Sequence, residues 1–252
     1  MKSIKFFFII SLLTFTISAC NFVEIDTPGL INDKQMFDDE QGAKDALTGI
    51  YATLTKPELY GNNLSFGFVD EIAQLYYNDH EATTTTILAK TYNLQYEDKD
   101  VRKRIDQIWA TAYYNIYAIN SLLEHIKGKT NPKMSSYRAQ ALTLRAMLHF
   151  DLLRLFAPNI TEPNALGIPY VTKASNEASE RKTVKACYEN IMGDLDEAKK
   201  EFLANEQPDS KNVYITLDAV KALQARVALW GNDMEKAETL AKEVINGKYK
   251  LV

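Results

Sequence analysis

Apolar residues return at spacings of three and four in block after block of this chain, and alternation at a spacing of two is nearly absent. That rhythm gathers greasy side chains on one face of a helix and leaves sheets without their signal. A first helix is predicted from about Asp39 to Thr55, capped by Asp38 or Asp39, with Ala43, Ala46, Leu47, Ile50, Tyr51 and Leu54 as its stripe. Pro57 ends it. A second runs from about Val101 to Ile126 on Ile105, Ile108, Trp109, Ala112, Ile116, Ile119, Leu122 and Leu123, closed by Gly128 and Pro132. The block from Ser135 to Phe156 is apolar around most of its circumference, which places it between neighbours and not on the surface. Thr183 is read as the cap of a further helix reaching about Phe202.

The last two helices, from about Thr216 to Trp230 and from Met234 to Ile245, are joined by Gly231-Asn232-Asp233. Alanines 219, 222, 225, 228, 237 and 241 lie where two helices must approach closely. The Gly-Asn-Asp-Met-Glu-Lys-Ala turn resembles that of a tetratricopeptide repeat. One such pair cannot hide its own apolar face, so successive pairs are expected to stack and share a continuous core. The fold class is therefore all-α, an α-solenoid of stacked helix pairs with irregular insertions. Two stretches break the rhythm. Residues 56–100 carry Gly61, Gly67 and a Thr83 to Thr86 run, and residues 158–180 carry Pro163, Gly167 and Pro169, with Ile168, Tyr170 and Val171 tacked to the body.

The amino terminus has its own plan. Lys2 and Lys5 precede an apolar and hydroxyl run from Phe6 to Ala19, and Cys20 follows directly. Such a run is an export signal; it falls short of the roughly 20 residues needed to span about 30 Å of hydrocarbon. Ile17-Ser18-Ala19-Cys20 resembles the lipobox at which bacteria attach diacylglycerol to the thiol and then cleave. Residues 1–19 are thus expected to leave as a lipoprotein signal peptide, residues 20–33 to form a lipidated tether, and residues 34–252 to form the helical repeat domain. With Cys20 acylated, Cys187 has no disulfide partner and reads as a small buried hydrophobe.

The net charge of −4 becomes more negative once Lys2 and Lys5 depart, which disfavours nucleic acid as a partner. It also supplies no polybasic membrane patch, so attachment would rest on acyl chains. Three histidines, at 80, 125 and 149, show no metal-ligand spacing, and no Gly-rich phosphate loop, nucleophile elbow or calcium loop is present in the sequence. No metal, cofactor or catalytic residue is expected, and the chain is not read as an enzyme. Within the block from Ser135 to Phe156, Arg145, His149, Asp151 and Arg154 are charged or titratable groups in an apolar surround. They are read as a structural network, Asp151 and Arg154 pairing at a spacing of three and Arg145 reaching a carbonyl or a neighbouring carboxylate. Trp109 is assigned to packing. Tyr113, Tyr114 and Tyr117 beside it would suit a sugar platform, but helical spacing of aromatics favours core.

The segments WATAYYNIYAINSLLEHI, YRAQALTLRAMLHFDLLRLFA, LGIPYV and RKTVKACYENIMGDLDEAKKEFL, with the final VINGKYKLV, occur in the order found in SusD/RagB proteins. The chain resembles that family over nearly its whole length, most specifically in LRAMLHFDLLRLF. Gln140-Ala141 departs from the family's Glu-Ala, and Gln140 is expected to hydrogen-bond where a carboxylate would pair. Family members are about twice as long, so the chain corresponds to their amino-terminal half. The resemblance implies a cell-surface, lipid-anchored outer-membrane protein that captures glycan or peptide for a SusC-like TonB-dependent transporter.

Sugar recognition needs flat aromatic faces flanked by amides and carboxylates. The segment from Tyr60 to Asp79 has these in density, and Tyr76, Tyr77 and Asn78 are singled out as ligand contacts, because two adjacent aromatics on an irregular segment cannot both easily face a core. Two other functions fit the residues alone. The helix pairs suit a protein-interaction scaffold in the cell envelope, and Asp70-Glu71 leaves a glycoside hydrolase as a more remote reading.

Overall fold

The structure, a computed structural model, describes residues 40–75, 85–205 and 213–247. Cys20 with its leader and tether, and the trio Tyr76, Tyr77 and Asn78, lie outside the described residues. Helix α1, Glu40–Leu54, buries Ala43, Leu47, Ile50 and Leu54, one face at a spacing of three and four. The segment expected to be irregular throughout contains two short helices, α2 over Phe68–Ile72 and α3 over Ile87–Tyr92. Each is one or two turns long, too short to print a periodicity. Thr86 caps α3 by accepting from the Ala89 amide.

Helix α4, Lys99–His125, starts ahead of Val101 because Asp98 caps it, its carboxylate accepting from the Asp100 amide at 2.9 Å. Helix α5, Pro132–Phe156, also starts early. Pro132 opens it instead of closing α4. A proline at the first helical position loses no hydrogen bond, and Asn131 caps from the preceding position, accepting from the Met134 amide at 2.8 Å. From Met134 to Leu153 every residue of α5 except Tyr137, Arg138 and Met147 is buried. This is the central helix.

The stretch expected to cross as an extended loop contains a short strand, β1 over Leu166–Pro169, which pairs antiparallel with β2 over Arg181–Thr183 just beyond it, Leu166 opposite Thr183 and Pro169 opposite Arg181. Gly167 permits the approach: a Cβ there would come within 2.9 Å of the buried Cys187 sulfur. Helix α6, Val184–Ala204, follows at once with Thr183 as its cap. Helices α7, Leu217–Trp230, and α8, Met234–Ile245, are capped by Thr216 and Asp233 and joined by a turn in which Asn232 takes φ +62°.

Packing follows the chain. Helix α1 lies on α4 and α5, α4 on α5, α5 on α6, α6 on α7 and α7 on α8. Ile108, Ile116, Ile119, Leu122, Leu144, Leu148, Phe150, Leu152 and Leu153 are fully buried where α4 and α5 meet their neighbours. Each such side chain contributes about 1.5 to 3 kcal/mol of burial. The molecule is an all-α stack of helix pairs, with one two-stranded sheet among the described residues.

Candidate functional site

Asn63, Phe68 and Glu71 in the described part of the Tyr60 to Asp79 segment turn inward. The Arg104 guanidinium on α4 donates to Asn63 Oδ1 at 2.7 Å and to both carboxylate oxygens of Glu71, at 2.5 and 3.0 Å. It also lies 5.5 Å from the centre of the Phe68 ring. Asn63, Phe68 and Glu71 are buried by this knot. Tyr60 donates to Asp151 Oδ2 at 2.6 Å, and burial, followed by the nearby Asp151 charge, pushes its phenol well above the usual range. Tyr60, Asn63 and Phe68, which suit sugar contacts in the sequence, are thus occupied in fastening the segment to α4 and α5, whereas Phe66 stays exposed.

The polar residues of α5 face partners on three elements. Arg145 donates to Asp194 of α6 through Nε and Nη2, both at 2.7 Å, and to Asn120 Oδ1 of α4 at 2.9 Å. The Tyr170 hydroxyl completes the group by donating to Asp194 Oδ2 at 2.6 Å. Asp151 accepts from Tyr60 and from Arg154. His149 is wholly buried, and desolvation pushes its pKa down to about 3. A neutral ring fits its contacts: Nδ1–H donates to the Arg145 carbonyl at 2.9 Å, and Nε2 accepts the Val171 amide at 3.1 Å. Its face stacks on Tyr170 with centroids 4.0 Å apart. Gln140, for its part, accepts from the Tyr51 hydroxyl at 2.9 Å.

Sequence reasoning missed Asp194, Asn120 and Tyr170 as partners. Asp194 does leave a signal, an acid between Ile191 and Leu195 on the stripe α6 buries. Asn120 likewise sits beside Ile119 on the inner face of α4.

These contacts hold a stretch of irregular backbone along α4. Tyr113 donates to the Pro169 carbonyl at 2.8 Å, Asn120 to the carbonyls of Val171 and Lys173 at 3.1 and 3.3 Å, and the Ala174 amide to Glu124 at 2.9 Å. Between helix and strap lies a cleft of about 610 Å³. Its helical wall is Trp109, Ala110, Tyr113, Tyr114 and Tyr117, and its far wall runs from Pro169 through Lys173, Ser175, Asn176 and Glu177 to Ser179. Trp109 also packs edge-on against Phe156, centroids 4.9 Å apart. Tyr114 and Tyr117, by contrast, are 65 % and 40 % exposed. Among the described residues, no group of three His, Cys, Asp or Glu side chains is placed to hold a metal ion.

Residues 31–229 match the family described as SusD-like, starch-binding associating with outer membrane. The chain belongs to that family. A SusD-like protein of Formosa agariphila is 24 % identical over 163 residues, which are 61 % of this chain and 31 % of that protein. A SusD superfamily protein from Bacteroides thetaiotaomicron superposes with a TM-score of 0.69 at 26 % identity, covering 86 % of this chain and 48 % of its own. A laminarin-binding SusD-like protein superposes at 0.64 with 20 % identity, covering 85 % of this chain and 46 % of its own. This SusD-like chain therefore spans about a third of the curated relative and about half of each solved structure. The Arg145 and Asp151 networks and the whole cleft lie inside the matched residues.

Proposed function

We propose that this SusD-like chain is a non-catalytic glycan-capturing lipoprotein of the outer-membrane surface. The match of residues 31–229 to a starch-binding, outer-membrane-associating family carries the reading. The laminarin-binding relative of the same fold supports a polysaccharide as ligand. Acyl chains on Cys20 tether the mature protein, residues 20–33 give it reach, and residues 34–252 form the binding domain. A SusC-like TonB-dependent transporter receives what it captures. Tyr76, Tyr77 and Asn78 contact the glycan, and Arg145, His149, Asp151 and Arg154 hold the scaffold that presents it.

Affinity electrophoresis of the mature protein through starch, laminarin and a panel of other polysaccharides tests the binding. Retardation by at least one, weakened in a Tyr76→Ala, Tyr77→Ala variant, is expected. Unretarded migration through the whole panel would refute the capture reading. Equal retardation of wild type and variant would remove Tyr76 and Tyr77 from it. Palmitate labelling that is lost in Cys20→Ser, and co-purification of a barrel transporter with the wild type, test the anchor and the partner separately.

A further inference from the structure

We infer that the cleft between α4 and the strap from Pro169 to Ser179 is a binding subsite for a short stretch of neutral oligosaccharide, stacked on Tyr114 and Tyr117. The inference rests on the glycan-capture reading and adds a site distinct in sequence from Tyr76 and Tyr77.

Three observations carry it. First, Tyr114 and Tyr117 lie three apart on one helix face, both line the cleft, and they are 65 % and 40 % exposed. Core packing does not account for them, since the inner face of α4 is made by Ala112, Ile116 and Ile119. Flat faces open to solvent suit the C–H face of a pyranose, and the phenol rim can still hydrogen-bond.

Second, the opposite wall is preformed. The strap has almost no regular structure, yet side chains from α4 and α5 hold it at Pro169, Val171, Lys173 and Ala174 through bonds of 2.8 to 3.3 Å. A wall held this way loses little entropy when a ligand arrives. The cleft volume of about 610 Å³ falls in the range of small-ligand sites, roughly 300 to 1,000 Å³.

Third, the strap presents an amide, a carboxylate and hydroxyls at Asn176, Glu177, Ser175 and Ser179, a set that can both donate to and accept from sugar hydroxyls. The one cation, Lys173, is balanced by the one anion, Glu177. A wall without net charge favours a neutral polyol over a uronate or a phosphate.

The test uses the intrinsic reporter. The chain has two tryptophans, Trp109 in the cleft and Trp230, which packs against Phe150 and Tyr188. In the full mature protein carrying Trp230→Phe, maltoheptaose and laminarihexaose are titrated while Trp109 emission is followed. The same titrations are read by calorimetry for wild type and for Tyr114→Ala, Tyr117→Ala. A saturable change in Trp109 emission with one neutral probe, and an affinity at least tenfold weaker in the double variant at unchanged melting temperature, is the expected result. Calorimetric binding that leaves Trp109 silent and the double variant unaffected overturns the cleft as a subsite while the capture reading stands. No binding of any probe or polysaccharide by the wild type refutes both. Self-association abolished by the double variant, without sugar binding in the cleft, makes this face a protein interface and overturns the proposal.

Discussion

Arg145 on α5 grips Asp194 on α6 with two parallel hydrogen bonds, Nε to Oδ2 and Nη2 to Oδ1, each 2.7 Å long. Both side chains are about nine-tenths buried, so the pair has given up most of its water. Its remaining needs are met by Asn120 and Tyr170. Removing one partner strands the other charge, a cost of about 3 to 5 kcal/mol, whereas replacing both by apolar groups of similar volume is close to neutral. Arg145→Met alone and Asp194→Leu alone are expected to lower stability by about that amount in urea unfolding. The double variant should recover most of it. If the double variant loses as much as the sum of the singles, the pair is not the coupled unit its geometry describes.

His149 makes stability fall toward acid. Its pKa lies near 3 in the folded protein and near 6.5 when exposed to water, so between those values the unfolded chain binds a proton that the native chain does not. The stabilising contribution is complete above about pH 6.5 and is lost progressively as pH falls toward about 3, at up to roughly 1.4 kcal/mol per pH unit. Carboxylates titrate in the lower part of this window, and the quantity to measure is the difference between wild type and His149→Gln from pH 7 to 4. That difference in unfolding free energy should shrink as pH falls. Parallel profiles would mean that the folded imidazole titrates like an exposed one.

The helices were legible because each long one carries its own pattern. Thr183, Thr216 and the Gly231 turn mark ends that the structure places within a residue or so of where the sequence does. Pro132 misled, since a proline after a glycine is consistent with both the end of one helix and the first residue of the next. Long-range partners were not legible. Nothing local tells Arg145 to choose Asp194, 49 positions away, or Tyr60 to choose Asp151, 91 positions away. The cleft was half legible: the tyrosines of α4 are plain in the sequence, but helical spacing alone does not say which face the fold leaves open.

Asn115 is a buried polar side chain on α4 whose amide nitrogen and oxygen both lack a hydrogen-bond partner among the described residues. Such a group loses hydration without replacement, a penalty of about 1 to 3 kcal/mol. Leucine keeps the branching and the number of side-chain heavy atoms without the polar groups, and the flanking Ala112, Ile116 and Ile119 on the buried face of α4 are apolar. Asn115→Leu is expected to raise the melting temperature by several degrees, and scanning calorimetry checks it. A lower melting temperature would show that the amide is satisfied in solution.

Gly231 sits where the last two helices turn, and a Cβ there would run into the Tyr188 ring of α6. Its backbone angle is ordinary, with φ −71°, so the demand for glycine comes from the neighbouring ring and not from the torsion. Tyr188 in turn lies against Trp230, centroids 6.5 Å apart, so the ring has limited freedom to withdraw. Gly231→Ala should therefore cost about 1 to 3 kcal/mol through overpacking. A double-mutant cycle isolates the cause: in a Tyr188→Ala background the clashing ring is gone and the same alanine should cost little, giving a coupling energy of about 1 kcal/mol or more. Thermal unfolding of the four proteins measures it. A penalty for Gly231→Ala that persists in the Tyr188→Ala background would move the cause from the ring to the turn itself.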